Sequence, residues 1–376
     1  MVNNDKNKIN PMSKEISIIG CGLYGALSAF LLQKQGYHVT VFDDRDHIGG
    51  NIYTEKFDDF HIHKYGPHIF HTSEKKIWDF VNNFTEFTPF VNSPLAISEG
   101  KLYNLPFNMN TFNQLWGIKC PNEARAKINS QTSRYKNLKI SNLEEQALAI
   151  VGEDIYKTFI KGYTEKQWGR DPKKLSPSII KRIPLRFTFN NNYFNDVYQG
   201  IPKLGYTDLI KNLIYGIKVE LNTKFNLEKI ESLLKNSKVI YTGALDELFS
   251  YKEGKLDYRS LRFENKTINK KSFQGNAVVN YCDKEIPYTR ITEHKHFNKS
   301  NSEKTVITYE YSKEYKNSED RFYPISNKKN NSIHKKYKEY ADTFNDFYYG
   351  GRLADYKYYD MHVIIPIVLK RYGKIS

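Results

Sequence analysis

Residues 15–43 read EISIIGCGLYGALSAFLLQKQGYHVTVFD, and this stretch decides the fold. The apolar run 15–20 predicts a strand, residues 26–35 carry a helical period that Gly36 stops, and HVTVFD at 38–43 predicts a second strand. A strand, a helix and a strand in so short a space predict a βαβ unit and hence a parallel sheet. Between the first strand and the helix stands Gly20-Cys21-Gly22-Leu23-Tyr24-Gly25, a G-x-G-x-x-G. Its first glycine suits a tight turn, its second lets the backbone approach a pyrophosphate, and its third lets the helix pack closely; the helix start supplies N–H groups and a positive dipole end. Asp43 closes the second strand, 23 residues after Gly20, where a carboxylate can accept hydrogen bonds from an adenosine ribose. Together these features predict a bound dinucleotide.

Arg45-Asp46-His47-Ile48-Gly49-Gly50-Asn51 follows the acid. An arginine and a glycine pair at this place resemble the second signature of flavoproteins that bind two dinucleotides. Residues 346–369 predict a strand, a Gly350-Gly351-Arg352 turn and a helix. Such a segment brings backbone close to the cofactor, and Arg352 offsets pyrophosphate charge. There is no second G-x-G-x-x-G, as a flavoprotein reductase with its own nicotinamide domain would usually carry.

The chain of 376 residues is 39% hydrophobic and 15% aromatic, enough for a sizeable core and too much for disorder. No apolar run is long enough to span a membrane, and the polar start MVNNDKNKINPMSKE is no secretory signal. Cys21, Cys120 and Cys282 are too scattered for a disulfide framework or a zinc knuckle, so a reducing cytoplasm is expected. A net charge of +15 favours anionic partners, although abundant lysine alone explains it equally well. Residues 104–170 have helical spacing. Beyond about 176, RFTFNNNYF, LDYRSLRFE, NAVVNYCD, IPYTRITEHKHF and TVITYEYS alternate and are rich in Tyr, Phe, Val and Thr, which predicts an antiparallel sheet. The fold expected is α/β, a doubly wound Rossmann-like parallel sheet with a helical insert and an antiparallel sheet. The dinucleotide-binding domain would comprise 13–88, 203–250 and 340–376, the helical domain 104–175 with a mobile substrate loop at its end, and the antiparallel domain 89–103, 176–202 and 251–339.

His61, His63, His68 and His71 fall in HIHKYGPHIFH. On a strand His61 and His63 share a face, and Pro67 breaks the run before His68. No cysteine or ordered acid stands nearby, so no metal site is expected; polar packing and a cofactor- or substrate-facing loop both remain open. Gly162, Gly169 and Pro172 punctuate YTEKQWGRDP into a binding loop. Arg182, Arg186 and Arg290, with Tyr193 and Tyr323, offer guanidinium forks and phenols for a diphosphate. No nucleophile triad or carboxylate dyad stands out, which leaves the chemistry to the cofactor.

GCGLYG, RDHIGGN, HKYGPHIFHT, NLPFNMNTFNQLWG, IKGYTEKQWGRDP, IKRIPLRFTFNNNYF, YQGIPKLGYT, YRSLRFE, YTRITEHKHF and GGRLADYKYYDM, in this order over nearly the whole chain, resemble the bacterial UDP-galactopyranose mutase family. The resemblance implies FAD, active when reduced, whose N5 attacks the anomeric carbon of galactose. UDP-galactopyranose and UDP-galactofuranose would interconvert with no net redox, supplying galactofuranose for surface polysaccharide. It implies Arg182 and Arg290 as the catalytic arginines. Asn92, Tyr163, Thr164, Trp168, Tyr193, Asn280, Tyr323 and Tyr358 would bind substrate. Gly20, Gly22, Tyr24, Gly25, Asp43, Asp44, Arg45, Gly50, Asn51, His68, Ile69, Arg352, Tyr359, Asp360 and Met361 would hold the cofactor, with His71 also beside the flavin ring. The same resemblance implies a homodimer; no nucleic-acid or membrane partner is expected. Asp43 stands where many relatives carry Glu. A flavin-dependent oxidoreductase on the same scaffold is the alternative, and a nucleic-acid-binding surface is the remote one.

Overall fold

The computed structural model describes residues 14–180, 184–316 and 321–373. A five-stranded parallel sheet runs in the order Lys218–Glu220, His38–Phe42, Glu15–Ile19, Lys238–Tyr241, Phe347–Tyr349. Ile18 of the central strand faces Val41 on one side and Ile240 on the other. Because alternate residues of a strand point to opposite faces, Ile16 and Ile18 join one core and Ile19 another. The first core is covered by the helices Leu23–Lys34, Tyr206–Leu213 and Met361–Tyr372. The second is covered by Leu227–Leu234, Leu245–Leu248 and Lys328–Ala341. Helices on both faces make this a doubly wound sheet.

A seven-stranded sheet runs in the order Tyr323–Pro324, Tyr258–Ile268, Thr305–Glu314, Arg290–Glu293, Val278–Tyr281, Leu95–Ser98, Lys101–Asn104. All its pairs are antiparallel except Val278–Tyr281 with Leu95–Ser98. Helices Met109–Trp116, Pro121–Thr132 and Leu143–Ile155 share a third core. A wide-pitched turn, Tyr156–Lys161, leads from them into the short helix Gly162–Trp168. Asn108 starts the first of these helices by accepting from the N–H of Asn110 and Thr111, while the Thr111 hydroxyl accepts from the Asn108 N–H.

Four expectations need correcting. YTEKQWGRDP is not a loop throughout: Gly162–Trp168 is a helix that buries Thr164 and Gln167 and stops at Gly169, whose φ of +62° cannot continue it. RFTFNNNYF is not a strand: one isolated bridge, Leu185 to Phe107, touches this region. Its asparagines bond side chains instead, with Asn191 Oδ1 accepting from Asn108 at 2.7 Å and Asn110 at 2.9 Å, and this competes with ladder formation. Within 176–202 the strand is Tyr198–Pro202, which pairs with Phe70–Thr72 and Phe87–Pro89 in a separate small sheet. In YTRITEHKHF the strand ends at Glu293, and Lys295–Asn298 turns into a helix. Lys328–Ala341, all but its last two residues within the span assigned to the antiparallel sheet, is a helix that buries Tyr337 and Ala341 against the dinucleotide-binding half. Lysine-rich composition hid its sparse apolar face.

Candidate active site

Glycine geometry closes the turn after Glu15–Ile19. Gly20 has φ +108°, and a Cβ there would lie 1.9 Å from the Thr242 hydroxyl oxygen. A Cβ on Gly25 would lie 1.9 Å from the Gly20 carbonyl oxygen. Gly22 starts the helix with no side-chain cap, and no acid sits in the first turn. Uncapped N–H groups at a positive dipole end suit a phosphate. Asp43 is buried and accepts from the N–H of Cys21 at 2.6 Å and of Arg45 at 3.0 Å. Burial raises its carboxyl above the ordinary value, and those two N–H groups oppose the rise. Its remaining lone pairs suit ribose hydroxyls.

A cavity of about 770 Å³ begins at this cradle and ends against the antiparallel sheet, a size typical of ligand sites. At the far end Arg290 reaches in from its strand. Its Nε is 3.1 Å from Glu310 Oε1, whose side chain is 3% exposed, and its Nη2 donates to Tyr163 Oη at 3.4 Å. Burial alone would lower the arginine's pKa, but the Glu310 carboxylate more than offsets it, so the guanidinium stays charged. Burial pushes the Tyr163 phenol up to about 12 and the Tyr323 phenol upward as well. Both keep their protons at neutral pH and remain donors. Tyr323 lies 5.5 Å from Tyr358 and 6.5 Å from Trp168, ring centre to ring centre, and Arg352 sits 4.4 Å above Tyr358. A guanidinium ringed by phenols forms a receptor for an oxyanion.

The histidines divide. His63 packs on Phe297 at 4.7 Å, its Nδ1 accepts from the His68 N–H, and its own N–H donates to His294 Nδ1. Together with buried His61, it is polar packing. His68 lines the cavity and bonds the Gly66 carbonyl through Nδ1. Burial, helped by the charge of Arg352, pushes it down to about 4, so the ring is neutral and Nε2 is left as an acceptor. His71 bonds Asp196 and stacks on Phe194 at 3.7 Å. It also meets Asp360 and His362, with possible ligand atoms within 4.8 Å of one another, a grouping that spacing in the first histidine run does not reveal.

Every residue assigned to the cofactor from sequence lines this cavity, from Gly20 to Met361. So do Asn92, Tyr163, Tyr193, Asn280, Arg290 and Tyr358. Trp168 and Tyr323 stand behind Tyr358, and Thr164 is buried in its helix. Arg182 lies outside the described residues. Sequence reasoning missed Thr223, Lys224, Phe225, Ala244, Glu247 and Arg321, which line the cradle end. Thr223 donates its N–H to the Asp43 carbonyl at 2.8 Å, and Glu247 pairs with Lys224 and Arg321, both at 2.7 Å. Most come just after the carboxyl ends of parallel strands, where open α/β sheets bind ligands; that rule was the available signal.

A family model described as UDP-galactopyranose mutase matches residues 158–358, and one for an NAD(P)-binding Rossmann-like domain matches 18–84. The chain is 42% identical to a probable UDP-galactopyranose mutase of Klebsiella pneumoniae, over 95% of this chain and 94% of the relative. The chain belongs to the UDP-galactopyranose mutase family. It is also 41% identical to a dTDP-fucopyranose mutase of Escherichia coli, over 93% of this chain and 95% of that one. A crystal structure of a reduced UDP-galactopyranose mutase superposes with a TM-score of 0.73 at 16% identity, covering 95% and 94% of the two chains. A putative protoporphyrinogen oxidase from Exiguobacterium superposes at 0.64 with 11% identity, covering 96% and 99%; this likeness is one of fold. Membership makes the chain an isomerase. With the dinucleotide-binding half, it also implies a flavin cofactor. The uncapped helix start, the Gly22–Gly50 approach (a Cβ on Gly50 would lie 3.0 Å from Gly22 Cα) and Asp43 fit the phosphates and a ribose of a bound dinucleotide. Among the described residues no helix is long and apolar enough to cross a membrane.

Proposed function

We propose that the protein is a UDP-galactopyranose mutase that uses FAD and works only when the flavin is reduced. The observation that carries this reading is the Arg290 cage with Tyr163, Tyr323 and Tyr358, opening into the same cavity as the dinucleotide cradle. When bound, reduced FAD would supply a nucleophilic nitrogen, N5, for chemistry at the anomeric carbon without net redox. The chain's own residues do the rest. Arg290 and the tyrosines hold the diphosphate before and after it separates, so that it returns to the same sugar. Tyr163, Thr164 and Trp168 seat the nucleoside, and Arg182 serves with Arg290 as a catalytic arginine. Asn92 and Asn280 orient galactose, and neutral His68 offers an acceptor at the flavin side. We assign the enzyme to the cytoplasm as a homodimer, with galactofuranose passing to surface polysaccharide.

Anaerobic incubation with UDP-galactofuranose, with and without dithionite, tests this by chromatography of the UDP-sugars. Conversion to the pyranose only with dithionite is expected. No conversion by a protein whose flavin reduces and reoxidises normally would move a flavin-dependent oxidoreductase to the front. The near-equal identity to a dTDP-fucopyranose mutase favours a second reading, a thymidine-linked 6-deoxy sugar. The same assay with dTDP-fucofuranose decides between them by relative kcat/KM.

A further inference from the structure

The helix Gly162–Trp168 carries Tyr163, and the strands Val278–Tyr281 and Arg290–Glu293 carry Asn280 and Arg290. These two supports come from distant parts of the chain, yet Arg290 and Tyr163 must meet. At the helix start the approach has no slack: a Cβ on Gly162 would lie 2.5 Å from the Cys282 carbonyl oxygen. One turn on, Lys166 Nζ donates to the carbonyls of Tyr281 at 2.7 Å and Tyr288 at 3.0 Å. Tyr281 ends one strand, and Tyr288 lies just before the other. One ammonium thus ties both ends of the connecting turn to the substrate-side helix.

The other side of this helix is held separately. Arg259 Nε donates to the Gln167 carbonyl at 3.0 Å and Nη2 to that of Lys166 at 3.4 Å, while Arg259 pairs with Glu314. Glu165 meets Lys284 of the turn at 3.0 Å, but Lys284 is 67% exposed, so this pair adds little. Cys282, Asp283 and Glu285 are the other titratable groups acting on Lys166. A lysine bonded to two neutral carbonyls is an unusual choice for a plain staple, because burial disfavours its charge.

We propose that Lys166 is a positioning residue: by bridging the helix to the turn it sets the Tyr163–Arg290 spacing on which nucleotide-diphosphate affinity depends. This rests on the nucleotide-sugar reading above. Desolvation holds the amine down to about 8, so the charged donor fades as pH rises through that value and affinity falls with it. A neutral amine is a weaker donor to both carbonyls.

The test uses flavin-loaded native protein and the variants Lys166→Met and Lys166→Arg, with UDP and dTDP affinities measured by titration from pH 7 to 9.5. Flavin content and Tm are recorded for each. Lys166→Met should keep its flavin and its Tm but bind UDP roughly ten-fold more weakly at pH 7, with KM rising more than kcat falls. Native affinity should decline through pH 8, whereas Lys166→Arg, charged throughout, should bind nearly as well as native and show no such decline. Native-like UDP affinity in Lys166→Met overturns the proposal, as does a parallel loss of flavin, Tm and affinity, which would make Lys166 a structural staple. If the native protein binds neither diphosphate, the nucleotide-sugar reading falls first and Lys166 with it. Binding without isomerisation overturns that reading alone.

Discussion

The cradle and the cage share one cavity and are built from different material. The cradle is mostly backbone: turn glycines, the N–H groups of a helix start and one acid 23 residues on, all inside a single βαβ unit. The cage is mostly side chains, with Tyr163, Arg290, Glu310, Tyr323 and Tyr358 drawn from five separate segments. A backbone site tolerates no added atoms and is indifferent to many side chains around it. A side-chain site tolerates shape changes but depends on each charge and its partner. Substitutions should therefore fail in different ways at the two ends.

The largest effect is expected at Gly25. Its absent Cβ would overlap the Gly20 carbonyl at 1.9 Å, and a backbone atom cannot swing aside, so Gly25→Ala should cost about 3 kcal/mol or more. The variant should purify colourless or not fold; flavin absorbance and Tm report this. A yellow, stable Gly25→Ala protein would break the distinction at its root. Next comes Arg290. Arg290→Met strands Glu310, whose side chain is 3% exposed, and should cost about 3–5 kcal/mol of stability. Arg290→Met with Glu310→Gln removes both charges and should regain most of that loss on thermal unfolding, while kcat/KM stays down roughly 100-fold because a charged fork is worth about 1.5–3 kcal/mol to a phosphate. Recovery of activity together with stability would show that the cage acts only as structure.

The same contrast governs what the sequence revealed. The cradle was legible because its elements lie close along the chain and each glycine has one physical job. The doubly wound class came with it. The cage was legible chiefly through family motifs such as YTEKQWG and KYYDM, since no local period brings Tyr163 to Arg290. Tyr198–Pro202 pairing with Phe70–Thr72 was invisible for a related reason, as strand partners far apart in sequence leave no periodic trace. The helix Lys328–Ala341 buries few residues, so its apolar stripe was too thin to notice. The polar ring of Lys224, Glu247 and Arg321 is harder to see, because its members are charged residues in loops and one short helix with no motif; only the rule that ligands gather beyond the carboxyl ends of parallel strands points to that region.

At the seam between the two ends sits the chain His68, His63, His294, the last wholly buried and bonded to Thr308 at 2.6 Å. Burial pushes His294 down to about 3, below the ordinary value near 6.5. As pH falls from about 6.5 towards 3 the unfolded chain takes up a proton that the native one refuses, so stability should fall across that window, by ~3 kcal/mol for this residue once pH 4.5 is reached. Denaturant unfolding at pH 7 and pH 4.5 measures it. His294→Gln, which cannot titrate, should flatten that part of the slope, and an unchanged slope would locate the acid sensitivity elsewhere.

The smallest effect tests the cradle's indifference to side chains. Cys21 sits inside the glycine motif, fully buried, with its N–H on Asp43. Burial, with the Asp43 charge adding, pushes the thiol up to about 12, so it is a neutral thiol at working pH and no nucleophile. The group this position must supply is the backbone N–H, which any residue except proline provides. Cys21→Ala should retain flavin and kcat within two-fold and lose about 1 kcal/mol from the small void it leaves. Flavin titration and steady-state rates check this against Gly25→Ala, four positions along the same turn and helix start. If removing one sulfur cost as much as adding one methyl at Gly25, the cradle would be reading side chains after all, and the distinction between the two ends of the cavity would have to be redrawn around the thiol.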